Sequence, residues 1–314
     1  MVMNNKTGRI EPVESMEEIH RILPQLQKEV SIEFFPLANM ESSDASPDLW
    51  IEISKTICKH YEDFEGFVIV HGTNTMSYTA AALSFALQGL SKPIILTGAL
   101  LPINDLASDA RRNLVYAIRA ALLDIAEVCI VLGPNVLRGC RAKKVSESVS
   151  ETFRSTRFPP LAEFSRHFEL LPQRTVRRKR KLACASSFDT NVTLLTLHPG
   201  LPQDFLDAIL HTDLKGIILR AYGPGMIPET LFPWIRTLTE KNIPIVMTSQ
   251  VLDSFVDLHS YKKQLALEEL GIISGKDMTY ECALVKLMWA LTQTKDPDKL
   301  HELMEKSLVG ELDE

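Results

Sequence analysis

Short apolar runs rich in β-branched residues alternate along this chain with longer amphipathic stretches, and that alternation leaves few architectures open. Strands buried on both faces read as near-continuous apolar runs, and parallel neighbours need a crossover that is normally a helix. Residues 66–70 are expected as such a strand, followed by a helix over about 77–90. Residues 93–97 form the next, with a helix starting near Asp109, and residues 128–132 a third. Ser108 and Asp109 stand just before the apolar positions Leu114, Ile118 and Leu122, an N-cap signal. The pattern resumes with strands at 216–219 and 244–248 and helices near 228–240 and 257–270. The expected fold class is α/β: an N-terminal domain with a mostly parallel sheet and helices on both faces, plus a smaller α/β C-terminal domain.

Between the two patterned stretches, residues 171–181 carry Pro172 and the run R-T-V-R-R-K-R-K. That composition reads as an exposed connector, the sharper alternative being a localisation signal or a site for an anionic partner. The expected division is an N-terminal domain over 1–170, a linker over 171–190 and a C-terminal domain over 191–314. A chain of 314 residues is long enough for two cores.

Composition excludes several classes. With 45% hydrophobic and 24% charged residues the chain is that of a packed protein, and a net charge of −6 opposes broad nucleic-acid binding, which needs a basic face. No apolar run approaches the roughly 20 residues that span a bilayer, and residues 1–12 are polar rather than signal-like, so no membrane partner is expected and the location expected is cytoplasmic. The five cysteines (Cys58, Cys129, Cys140, Cys184, Cys282) are scattered and lack a C-x-x-C pair, so reduced thiols are expected rather than disulfides or a zinc site. The histidines show no metal-ligand spacing, and neither a metal nor a cofactor is expected.

Three polar clusters follow apolar runs. H-G-T-N-T-M-S-Y-T-A at 71–80 places Gly72, Thr73, Asn74 and Thr75 directly after a buried strand. The crevice beyond such strand ends is where open α/β sheets bind ligands, and the next helix offers unpaired N–H groups to an anion such as a substrate carboxylate. The plainer reading is a well-capped turn. E-S-S-D at 41–44 offers ligand-binding hydroxyls, or an ordinary helix entry before Pro47. R-G-C-R-A-K-K at 138–144 ends in Lys144, a candidate base; a lysine takes a proton from a threonine hydroxyl only in its neutral form, and most lysines are simply solvated.

Taken in order, these clusters resemble the cytoplasmic type I asparaginases and their archaeal relatives. The resemblance runs from T-G-R-I-E-P (7–12) through S-K-P-I-I-L-T-G-A-L-L-P (91–102), S-D-A-R-R-N-L (108–114) and L-K-G-I-I-L-R-A-Y-G-P-G (214–225) to G-K-D-M-T-Y-E-C-A-L-V-K-L-M-W (275–289) and L-V-G-E-L (308–312). It implies hydrolysis of the L-asparagine side-chain amide to L-aspartate and ammonia by a threonine nucleophile, without cofactor or metal. It implies Thr73 and Lys144 as a catalytic proton relay, and Ser42, Ser43, Gly72, Asn74 and Ala99 as substrate-binding positions. It also implies a homodimer or homotetramer. Residues 279–286 resemble the stretch used between subunits, although a helix packed within its own domain reads the same way.

Two departures stand out. The family opens with a strand and the turn G-G-T-I, whose threonine is the usual nucleophile. Met1 falls just beyond where that segment ends, so Met1 is expected to be an internal methionine of a longer reading frame, the alternative being a shortened protein. Asn74 stands where the family has an aspartate that binds the substrate ammonium. Hydrogen bonds to charged groups contribute about 1.5–3 kcal/mol, so the exchange is expected to weaken asparagine recognition roughly ten- to a hundredfold. Three functions follow: an asparaginase with weak glutaminase activity, a non-catalytic homologue binding an amino acid or a protein partner, and an ammonia-supplying subunit of a tRNA-dependent amidotransferase.

Overall fold

The computed structural model describes residues 2–3, 10–11, 30–148 and 151–313; the T-G-R-I-E-P motif lies mostly outside them. The chain forms two compact units, Met1–Ser155 with Pro159–Ser186, and Thr156–Phe158 with Ser187–Glu314.

In the first unit, two short strands β1 (Val2–Met3) and β2 (Ile10–Glu11) pair with each other. The main sheet is built on three parallel strands, β3 (Phe67–Val70), β5 (Ile94–Thr97) and β6 (Val128–Val131). These are the expected apolar runs, and β5 and β6 are buried throughout, but β3, expected to be buried, lies at the edge of the sheet among the described residues, half-buried and with Val70 60% exposed. After β6 the chain reverses through Gly133, whose φ of 89° suits a residue without a Cβ. Strands β7 (Asn135–Arg138), β10 (Ala162–Phe164) and β11 (Phe168–Leu170) then extend the sheet antiparallel, so it is mixed, in the order β11-β10-β7-β6-β5-β3.

Helix α1 (Pro47–Lys59) starts with proline in its first turn and buries Trp50, Ile53 and Ile57, one face at helical spacing. Helix α2 (Met76–Ala86) is buried at nearly every position, which its small Ala, Ser and Thr residues allow. It ends at Ala86 rather than Leu90, because β4 (Leu87–Gln88) pairs with β12 (Ala183–Cys184). Helix α3 (Ala110–Ala120) follows the Ser108–Asp109 pair as expected.

Two expectations are corrected here. Cys58 at the end of α1 and Cys184 in β12 form a disulfide with Cα atoms 6.5 Å apart, while Cys129, Cys140 and Cys282 are free and buried. The partners are 126 residues apart in sequence and meet through the β4–β12 pairing, which no local spacing reveals. The basic run is also only partly exposed. Arg177 donates to the carbonyls of Glu65, Ala121 and Leu123, and Arg174 to that of Asp124, while Arg178 to Lys181 are exposed. The planar guanidinium satisfies several backbone acceptors at once, which a count of charges along the sequence does not show.

The second unit holds a four-stranded parallel sheet, β13 (Val192–Thr196), β14 (Gly216–Ala221), β15 (Ile245–Ser249) and β16 (Ile273–Ser274). Helices at Gln203–Ile209, Phe232–Glu240 and Lys262–Glu269 accompany it, and one apolar core gathers Ile217, Leu219, Trp234, Ile235, Leu238 and Met247. The helix Tyr280–Gln293 packs within this unit: a Cβ at Gly216 would come 2.8 Å from Leu287 Cδ2. On it Lys286 is fully buried, paired with Glu311 at 2.5 Å and donating to the carbonyls of Met304 and Lys306. No helix among the described residues is long and apolar enough to cross a membrane.

Candidate active site

Strand β3 ends at Val70, and the turn of residues 71–75 carries the chain into α2. His71 seats this turn. The Trp50 Nε1–H donates to Thr79 Oγ1 at 3.1 Å, and the same hydroxyl lies 3.0 Å from His71 Nε2. The other ring nitrogen, Nδ1, lies 2.7 Å from the Gly72 carbonyl oxygen. A carbonyl only accepts, so Nδ1 carries a proton, and in the neutral ring Nε2 accepts from the Thr79 hydroxyl. Burial holds the His71 pKa below the ordinary histidine value, the Gly72 carbonyl working against it. Because the Gly72–Thr73 peptide is trans, fixing that carbonyl turns the Thr73 N–H the opposite way.

The second cluster lies against this turn. Residues Ser42–Asp44 form one turn of 3-10 helix, with Ser42 buried and Ser43 exposed. The Thr75 hydroxyl donates to the Ser42 carbonyl at 2.6 Å. A Cβ at Gly72 would come 2.6 Å from Ser42 Oγ and 2.7 Å from its Cβ, so only glycine lets the two turns meet. Thr75 stands at the N-cap of α2 without making a side-chain cap, its hydroxyl being engaged by Ser42, and the first-turn N–H groups of α2 are left uncapped by it.

The third cluster arrives on strand β8 (Ala142–Lys144), which pairs with β9 (Phe153–Ser155). Lys144 Nζ lies 2.9 Å from Thr73 Oγ1, 2.7 Å from Asn74 Oδ1 and 2.7 Å from Glu147 Oε1. The ammonium has three N–H groups and three acceptors. Its side chain is 16% exposed and that of Glu147 78%, so the ion pair links a nearly enclosed group to solvent.

Ala99 follows Gly98, which leaves no room for a side chain against the His71 carbonyl. Asp109, read from sequence as a helix cap, makes no cap to α3. Its carboxylate accepts from the N–H groups of Leu100 and Leu101 and from Asn113 Nδ2, and Asn113 in turn holds the Gly98 carbonyl and the Gly133 N–H. A buried carboxylate with three donors fixes the loop that carries Ala99.

Thr73, Lys144 and Asn74 are thus brought together, Ser42 and Gly72 join them through the paired turns, Ala99 sits on the neighbouring loop, and Ser43 faces outward. Sequence reasoning misses Glu147 and the Trp50–Thr79 pair, and it misses the parts that Thr75 and Asp109 play in holding the turns. The K-x-x-E spacing of Lys144 and Glu147 is the available signal for the first.

This arrangement accompanies a family match over nearly the whole chain. Residues 1–175 match the model described as "Asparaginase, N-terminal" and residues 191–304 that of the "Glutaminase/Asparaginase C-terminal domain". The chain belongs to the asparaginase family, a family of amidohydrolases. It is 35% identical over 301 residues to L-asparaginase 1 of Escherichia coli (strain K12), covering 95% of this chain and 88% of that protein. It is 32% identical over 324 residues to a subunit of the glutamyl-tRNA(Gln) amidotransferase of Methanobrevibacter smithii, covering 100% of this chain and 74% of that one. The solved structure of the thermostable L-asparaginase from Thermococcus kodakarensis superposes with a TM-score of 0.90 at 31% identity, covering 96% of this chain and 92% of that one.

Proposed function

We propose that this protein hydrolyses a carboxylic side-chain amide, of the kind found in L-asparagine, through hydroxyl attack assisted by the Thr73–Lys144 couple. The observation that carries the reading is the 2.9 Å contact between Lys144 Nζ and Thr73 Oγ1, two groups 71 residues apart that meet at the end of a parallel strand. A threonine hydroxyl is a weak nucleophile until a positioned base takes its proton, and Lys144 is the basic side chain within reach. In this reading Lys144 first gives one ammonium proton to the largely solvent-exposed Glu147 carboxylate and, as the neutral amine, takes the proton that leaves Thr73 Oγ1. The Thr73 N–H and the uncapped first turn of α2 provide donors for a carbonyl oxygen or a carboxylate.

In this reading a threonine is the nucleophile, Ser42 and Gly72 shape the substrate turn, Ala99 and Ser43 border it, and the protein acts in the cytoplasm as a homo-oligomer. The domains run over 1–170 and 191–314, joined by 171–190. The similarity to an amidotransferase subunit across the full length of this chain supports a second reading, in which the same amide cleavage supplies ammonia to a partner. Ammonia release from L-asparagine and L-glutamine by the purified, folded protein tests both. Release without a partner supports the first, and release only with an added amidotransferase partner the second.

A further inference from the structure

Each of the two turns that meet at the site leads into a helix, Ser42–Asp44 into α1 and residues 71–75 into α2. At their far ends the same two helices are joined through one short segment. Cys184 forms the disulfide with Cys58 near the end of α1, and Ser186 Oγ lies 2.6 Å from Ser54 Oγ one turn earlier. That segment is fastened to the end of α2 as well, where Cys184 pairs with Leu87 of β4 and the Ala185 N–H donates to the Ala86 carbonyl at 2.8 Å. Trp50, Ser54 and Cys58 recur every fourth residue and so form one stripe along α1. In order, they carry the contact to Thr79 behind His71, the contact to Ser186 and the covalent bridge. A helix of 13 residues spans about 20 Å, and α1 links the bridge at one end to the reactive turns at the other.

The bridge is open to exchange. Cys184 is exposed, so a small thiolate reaches its sulfur, whereas Cys129, Cys140 and Cys282 are buried. Where thiols are kept reduced, as in the cytoplasm of the function proposed above, a protein disulfide is usually transient and redox-sensing. Resting on the amide-hydrolysis reading, we propose that the Cys58–Cys184 pair is a reversible redox switch of that site. The disulfide holds the ends of α1 and α2 together and keeps the Ser42 turn seated on the Gly72 turn; reduction to two thiols loosens that seat and slows turnover. The step is exchange with a dithiol. One of its thiolates attacks Cys184 Sγ, the Cys58–Cys184 bond breaks, and Cys58 leaves as a thiolate that takes up a proton. The second thiol then attacks the mixed disulfide, frees Cys184 as a thiol and leaves the reagent as its own cyclic disulfide, two electrons having passed to the bridge. Glutathione disulfide reverses the change. Buried Trp50, Ile53 and Ile57 keep α1 packed in the reduced state, so the fold persists while the turns shift, and catalysis is sensitive to placement on the ångström scale.

The test takes the purified full chain through air oxidation, dithiothreitol and re-oxidation with glutathione disulfide. Titration of the native protein is expected to find no reactive thiol, then the two of the bridge, then none. Ammonia release from L-asparagine is expected to fall about tenfold in kcat on reduction and to recover on re-oxidation, with Cys184→Ser held at the reduced rate throughout. Amide hydrogen exchange is expected to quicken over residues 42–59 and 71–80 on reduction and to stay unchanged in β14 and β15. Reactive thiols in the air-oxidised protein, or a turnover that reduction of the bridge leaves unchanged, overturns the inference, as does exchange that quickens equally in β14 and β15. If no state releases ammonia, the catalytic reading falls by itself and hydrogen exchange decides the switch. Faster exchange confined to the two turns and their helices then supports it, and equal exchange in both states overturns it.

Discussion

At Thr73 and Asn74 the sequence is informative because their neighbours in the chain define a turn after an apolar strand, and at Lys144 because the family pattern marks it. What the sequence does not show is that one lysine bonds both residues, since hydrogen-bond partners about 70 residues away leave no local trace. The same holds for the Trp50 and Thr79 contacts behind His71, whose Nδ1 proton is fixed by the Gly72 carbonyl. Its lowered pKa has a definite sign in stability. The unfolded histidine binds its proton at higher pH than the folded one, so the folded state gains stability as pH rises between the two values. That contribution is complete above the ordinary histidine pKa of about 6.5 and is lost as pH falls below it. Melting temperatures taken from about pH 7.5 to 5 are expected to fall for the wild type. The drop should be shallower for His71→Gln, whose amide keeps hydrogen bonding but does not titrate; equal slopes would remove His71 from the network drawn above. Gly72→Ala places a methyl group into Ser42, and the expected result is a loss of about 1–3 kcal/mol in urea unfolding from overpacking. An unchanged midpoint would mean that the two turns do not pack as described.

Strands β3, β5 and β6 and helices α2 and α3 fall within a few residues of where the apolar pattern puts them, because each is built on a continuous apolar run or buries one face, and α1 starts at the helix entry before Pro47. The elements that escape are those fixed by pairing across long stretches of chain. Leu87–Gln88 looks like the end of a helix, and becomes a strand only because Ala183–Cys184 lies beside it. The antiparallel half of the sheet is built from strands of three or four residues, too short to show a period. Asp109 occupies a capping position in sequence, yet its carboxylate serves the Leu100–Leu101 loop, because two successive backbone N–H groups of that loop turn toward it. The Cys58–Cys184 bridge ties α1 to β12 and closes a separation of 126 residues. A disulfide of this kind restricts the unfolded chain and typically contributes about 2–4 kcal/mol. Cys184→Ser is therefore expected to lower the unfolding free energy by that amount under oxidising conditions and to be insensitive to added dithiothreitol. Equal stability of variant and wild type without reductant would show that the bridge does not form.

For the molecule as a whole, two sheets and two cores are legible from the repeated strand–helix pattern, and the family resemblance is legible from motifs spread over the chain. The boundary is less so. Residues 171–181 look like a connector by composition, but Arg174 and Arg177 fasten that segment to the first unit through backbone carbonyls. The fold's contribution to chemistry is to bring two turns and the short strand β8 to one strand end, so that a hydroxyl, an amine and a carboxylate line up toward solvent. The most direct test of that claim is a double-mutant cycle on ammonia release, with Thr73→Val, Lys144→Met and the pair. If the two side chains act as one unit, each single variant loses about 10²–10⁴-fold in kcat and the double variant loses little more. Losses that multiply, or a folded Lys144→Met protein with wild-type turnover, would contradict it.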